Sequence, residues 1–196
     1  MKSFSLSKYN VSHATMIYSF EHYYSANRTE LLKHEPVLDY VKPIIATKKI
    51  KNIIILGCAS GRDFVPFQDD FDCYGFDLVP EKRINWVCKT DRLTYYQCSI
   101  EDMLKNIEFF TFNWSESLIY SQGTLMYLTK EKQEEFIKTL MHLGCRNFVL
   151  QEYNEISGRI SGNPYLKLPE ELDKLFKKQS FRGSSPDQPL AHLMLE

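Results

Sequence analysis

The chain of 196 residues is 43% hydrophobic and 25% charged, with a formal net charge of −1, the balance of a globular chain able to bury one sizeable core. No apolar run reaches the roughly 18 to 20 residues needed to span a bilayer, and the near-neutral charge lacks the concentrated basic excess that grips nucleic acid. Five widely spaced cysteines, Cys58, Cys73, Cys88, Cys98 and Cys145, form no C-x-x-C pair and have no histidine at ligand spacing, which argues against a disulfide framework or a metal site.

At the amino end, residues 1–10 carry a lysine at position 2 and no continuous apolar stretch, so no secretory signal is read there and a cytoplasmic location is expected. Met16, Ile17, Phe20, Tyr23 and Tyr24 recur at three- and four-residue steps, one face of a helix. Asn27 and Glu30 have capping-box spacing and predict a new helix start. Pro36 restarts that helix, Val37, Leu38 and Val41 continue its apolar face to Pro43, and Lys48-Lys49-Ile50-Lys51 leads into the first strand.

Strands and helices then alternate. Asn52 to Leu56 reads as a buried strand, followed by the small-residue turn Gly57-Cys58-Ala59-Ser60-Gly61 and a short helix over Asp63 to Phe67 with Pro66 in its first turn. Cys73 to Asp77 is a second strand, Pro80-Glu81-Lys82-Arg83 opens a helix, and Leu93 to Cys98 is a third strand. Glu116 to Gln122 gives the fourth, a helix carries Phe136, Ile137, Leu140 and Met141 on one face and stops at Gly144, and Asn147 to Glu152 gives the fifth. Pro169 to Lys178 is helical in pattern, and Gln179 to Gly183 with Leu190 to Leu195 flanks a turn-rich segment, the layout of an antiparallel hairpin. The expected architecture is α/β, a mostly parallel sheet with helices on both faces and an antiparallel C-terminal hairpin.

The turn after the first strand is the main functional signal. Glycine lets the backbone turn sharply and approach a ligand, and Asp77, twenty positions beyond Gly57, ends the next strand, where a carboxylate can accept from both hydroxyls of a ribose. A dinucleotide fingerprint asks for G-x-G-x-x-G, yet Ala59 and Arg62 hold its second and third glycine positions, and no phosphate-binding G-x-x-x-x-G-K-[ST] occurs. A ribose-bearing cofactor without a pyrophosphate fits better.

Leu56-Gly57-Cys58-Ala59-Ser60-Gly61-Arg62-Asp63, Tyr74-Gly75-Phe76-Asp77, Gln97-Cys98-Ser99-Ile100-Glu101-Asp102 and Ser121-Gln122-Gly123-Thr124-Leu125-Met126-Tyr127-Leu128 resemble, in order and spacing, the motifs of the class I S-adenosylmethionine-dependent methyltransferases over about residues 50 to 155. This resemblance implies a Rossmann-like core over 50–196 with seven strands, an N-terminal helical cap over 1–49, a single domain in all, and S-adenosylmethionine as cofactor. It also implies roles: Gly57, Ala59 and Gly61 beside the methionine arm, Cys58 touching the ligand through its backbone, Asp77 with the adjoining Leu78 at the ribose, and Ser99, Ile100 and Glu101 around adenine. Ser121, Gln122 and Gly123 would pass beneath the methionine arm and face the acceptor, and Tyr24 and Arg28 would reach over the cofactor mouth. Ile55, Ala59 and Ser117 depart from the family pattern.

The activity implied is methyl transfer to a small-molecule acceptor, with His22 or Glu152 as general base if the acceptor must lose a proton early. Alternatives are a non-catalytic S-adenosylmethionine-binding subunit of a complex and an NAD-dependent oxidoreductase. A homo-oligomer or a partner subunit is compatible with either, and no metal is expected.

Overall fold

The computed structural model describes residues 35–88, 90–152, 166–179, 181 and 190–196. Helix α1 (Pro36–Ala46) places Pro36 at its first turn, where the missing N–H costs nothing, and runs through Pro43 to Thr47. Strands β1 (Asn52–Leu56), β2 (Asp72–Asp77), β3 (Leu93–Gln97), β4 (Ser117–Gln122) and β5 (Asn147–Glu152) are mutually parallel, and β6 (Lys177–Gln179) and β7 (Leu190–Met194) join as antiparallel partners. The sheet order is β3-β2-β1-β4-β5-β7-β6.

The run Ile53-Ile54-Ile55-Leu56 is buried throughout because β1 is central and covered on both faces. Ile53 and Ile55 meet Val37, Leu38, Val41 and Ile45 of α1, with Phe64 and Phe67. Ile54 and Leu56 face the other layer, where helices α2 (Ile100–Lys105) and α3 (Lys130–His142) contribute Met103, Phe136, Ile137 and Leu140. The short helix α4 (Glu170–Asp173) adds Leu172 there. Helix α3 ends in a paired cap: Gly144 has φ +92°, its N–H reaches Met141 O at 3.0 Å, and Cys145 N–H reaches Leu140 O at 3.0 Å.

Two expected crossover helices are replaced by single 3₁₀ turns, Arg62–Phe64 and Glu81–Arg83. After the second, Ile84 is extended and the chain returns over the β1 turn, where Val87 N–H donates to Ser60 O at 2.8 Å. That contact competes with continued helix. The helix expected to Lys178 also stops early, because Lys177–Gln179 pairs with β7. The capping box at Asn27 lies outside the described residues.

Strand order reverses between β1 and β4, so the loops leaving their carboxyl ends run in opposite directions and open a crevice there. None of the described helices is long and apolar enough to cross a membrane.

Candidate active site

The first wall of the crevice is the turn after β1. Gly57 N–H and Cys58 N–H both donate to Phe76 O at 2.7 and 3.3 Å, which fastens the turn to β2. Gly57 has φ +65°, a left-handed conformation that glycine adopts without cost, and a Cβ added there would lie 2.1 Å from Thr124 Oγ1. Ala59 is also left-handed, with φ +46°, so the turn holds strain at a residue with a side chain. Gly61 closes it by donating to Cys58 O at 2.8 Å, beneath the Trp86 ring.

Cys58 points away from the crevice. Its Sγ would stand 2.7 Å from a Cβ on Gly75, so the small residue in β2 makes room for the thiol. Burial first, then the Asp77 charge, pushes that thiol well above its ordinary range, which leaves it inert at neutral pH.

Asp77 ends β2 with its carboxylate under the turn: Oδ2 accepts Ala59 N–H at 2.8 Å and Oδ1 accepts Val79 N–H at 3.1 Å. Each oxygen keeps acceptor capacity for a further donor, and the residue is partly exposed. Desolvation raises its carboxyl above the ordinary aspartate range, while the backbone N–H groups of Ala59, Val79 and Leu78 pull it back down.

The segment after β3 lies alongside, since Asp77 and Gln97 are register partners and Cys98 N–H donates to Asp77 O at 3.0 Å. Ser99 is the N-cap of α2: its Oγ accepts Asp102 N–H at 3.0 Å and donates to Asp102 Oδ2 at 2.9 Å. Its hydroxyl is committed to that cap. Ile100 is buried and Glu101 is partly exposed beside it.

The opposite wall is the loop after β4. Ser121 is buried and donates to Glu152 Oε1. Gly123 turns at φ +60° and donates to Gln151 O at 3.0 Å. Thr124 Oγ1 then reaches across the crevice, its one proton shared between Leu56 O at 3.2 Å and Gln122 O at 3.3 Å. Glu152, at the end of β5, is 0% exposed and also accepts the N–H groups of Thr124, Leu125 and Met126 at 3.2, 3.1 and 3.3 Å. A general base must reach its proton within hydrogen-bond distance, and this carboxylate is turned inward onto four donors. The geometry is that of a strut, not of the base expected from sequence. His22, Tyr24 and Arg28 lie outside the described residues.

Sequence reasoning passed over a polar cluster at this edge. Arg62 donates to Gln122 Oε1 and stands 3.7 Å from Glu35 Oε1 and 3.3 Å from Asp63 Oδ1. Gln151 Nε2 donates to Glu35 Oε2 at 2.9 Å, and Tyr120 O–H donates to Gln151 Oε1 at 3.4 Å. Glu35 is 2% exposed, so this set ties the start of α1 to the glycine turn and to the ends of β4 and β5. Arg62 at the third glycine position was the local signal; its partners are remote in sequence. Among the described residues no group of three or more His, Cys, Asp or Glu could hold a metal ion.

No family model matches the chain, and no curated protein matches it in sequence. Solved structures do resemble it. A Burkholderia thailandensis 1,6-didemethyltoxoflavin-N1-methyltransferase, with 1,6-didemethyltoxoflavin and S-adenosylhomocysteine bound, aligns over 98% of this chain and 91% of its own at 13% identity, TM-score 0.56. The N-methyltransferase NodS of Bradyrhizobium japonicum WM9, in complex with S-adenosylhomocysteine, aligns over 92% and 99% at 15% identity, TM-score 0.59. The magnesium protoporphyrin IX methyltransferase of Synechocystis PCC 6803, with bound SAM, aligns over 96% and 85% at 13% identity, TM-score 0.51. At these identities the likeness establishes the fold, which is the Rossmann-like methyltransferase fold.

Proposed function

We propose that the chain is an S-adenosylmethionine-dependent methyltransferase acting on a small-molecule acceptor. The observation that carries this reading is the pairing of Asp77 with the turn at Gly57 to Gly61 at the switch point: a carboxylate with spare acceptor capacity beside a backbone turn that only small residues can make. The fold supports it, and so do the small-molecule acceptors in the names of the aligned proteins. The turn suits a ligand without a pyrophosphate, because it opens a single 3₁₀ turn, Arg62–Phe64, and not a helix long enough to present a macrodipole to phosphate.

When bound, S-adenosylmethionine supplies an electrophilic methyl group. The residues that would hold it are Asp77, accepting from the ribose hydroxyls with Leu78 adjoining, Ser99, Ile100 and Glu101 beside the adenine, and the backbone of Gly57, Cys58, Ala59 and Gly61 under the methionine arm. Ser121, Gln122 and Gly123 would close the acceptor side, and the sequence resemblance would set Tyr24 and Arg28 over the mouth. Fixing two reactants in attack geometry accounts for roughly 7 to 11 kcal/mol of barrier, so positioning alone supplies a large rate enhancement; His22 is the remaining candidate for a base.

The test is thermal stabilisation by S-adenosylmethionine, S-adenosylhomocysteine and NAD. A ligand at about 100 times its dissociation constant adds roughly 2.7 kcal/mol, which for a domain of this size raises Tm by roughly 5 to 10 °C. The two adenosyl ligands are expected to give that rise and NAD none. A rise with NAD alone, or with none of the three, overturns the reading.

A further inference from the structure

Glu152 accepts four hydrogen bonds at the end of β5, and the proposed methyl transfer gives it no chemical task. An ionised carboxylate buried at 0% exposure carries a desolvation cost that only dense hydrogen bonding offsets. Here the offset comes from one donor near the end of β4 and three on the loop that follows it: Ser121 Oγ and the N–H groups of Thr124 and Leu125 on Oε1, and Met126 N–H on Oε2. Strand β5 is already secured by its ladders to β4 and β7, so the sheet does not depend on this side chain. What depends on it is the path of three successive amides entering the 3₁₀ turn Leu125–Tyr127.

The first of those amides belongs to Thr124, whose Oγ1 donates to Leu56 O at 3.2 Å and occupies the space a Cβ on Gly57 would need. One unbroken set of contacts therefore runs from the end of β5 through the loop after β4 to the turn after β1. It crosses the crevice between the proposed cofactor wall and the proposed acceptor wall.

We propose that Glu152 is a positioning residue: through Thr124 it fixes the separation of the β4 loop from the glycine turn, and so sets where the methionine arm of the cofactor rests relative to the acceptor. This rests on the methyltransferase reading. Its specific consequence is that the adenosine half of the ligand, held at Asp77, is insensitive to Glu152, whereas the methionine half is not.

Calorimetric titration of wild type, E152Q and T124V with S-adenosylhomocysteine and with adenosine separates the two halves, and amide hydrogen exchange at 124–126 reports the loop. Glutamine keeps the shape of the side chain but turns an NH₂ group onto backbone donors. Valine keeps the shape of Thr124 but cannot bond Leu56 O, and it serves if E152Q fails to fold. Both variants are expected to bind S-adenosylhomocysteine at least about tenfold more weakly with adenosine affinity within about twofold of wild type, and in E152Q the three amides exchange faster. Equal weakening of both ligands, or no weakening of either, overturns the proposal while leaving the methyltransferase reading intact. A wild-type chain that binds no S-adenosylhomocysteine overturns both.

Discussion

G57A is expected to lower the stability of the chain by about 3 kcal/mol, the sum of a left-handed alanine at roughly 1 to 2 kcal/mol and an overpacked contact at roughly 1 to 3 kcal/mol. The first part follows from φ +65° at this position, the second from a Cβ placed 2.1 Å from Thr124 Oγ1. Relief of that overlap moves either the turn or the β4 loop, and displacement of about 1 Å in a positioning element can cost roughly a hundredfold in turnover. Urea denaturation and S-adenosylhomocysteine titration measure the two effects. Adding T124A removes the overlapping oxygen and leaves Cβ against Cβ at 3.2 Å, still a tight contact, so the double variant is expected to recover most of the steric part and keep the backbone part, a non-additive pair. If G57A stays within about 0.5 kcal/mol of wild type, the close approach of the two loops is wrong.

D77A is expected to weaken S-adenosylhomocysteine roughly 10² to 10⁴-fold, since two hydrogen bonds to a charged acceptor contribute about 1.5 to 3 kcal/mol each. It also frees Ala59 N–H, the donor that holds the strained residue of the turn. D77N keeps one acceptor oxygen and is expected to lose less. The pH dependence separates folding from binding. Desolvation raises the folded-state carboxyl of Asp77, so its contribution to stability is full below the unfolded-state pKa and is lost as pH rises through the raised folded value. Ligand affinity runs the other way: the ionised carboxylate is the better acceptor, and affinity falls as pH drops through the raised value, above the range of an ordinary aspartate. Titrations across mildly acidic pH should show that fall in wild type and not in D77N. A profile identical in both removes Asp77 from the site.

The strands were legible because their cause is local. Ile53-Ile54-Ile55-Leu56 is apolar at every position and so belongs to a central parallel strand, and Asn147 to Glu152 is found with the bounds read from sequence. Ser99 and Gly144 punctuate their helices through their own chemistry. The missing crossover helices were not legible, since what replaces the second is a bond from Val87 to Ser60, a contact that no periodicity records. The site divides in the same way. Asp77 and the glycine turn could be placed from spacing, whereas the inward turn of Glu152 depends on Thr124, 28 residues away, and the Glu35 carboxylate meets Gln151 across 116 residues. A glutamate at a strand end reads as a catalytic candidate until its donors are seen.

The insertion of β7 between β5 and β6 leaves a three-residue strand at one border of the sheet, and its residues Lys177 and Lys178 are both exposed. A neighbouring molecule adding its own β6 there would bring ammonium groups opposite one another on a ladder too short to compensate. Exposed lysines on so short a border strand work against runaway strand addition at this flank.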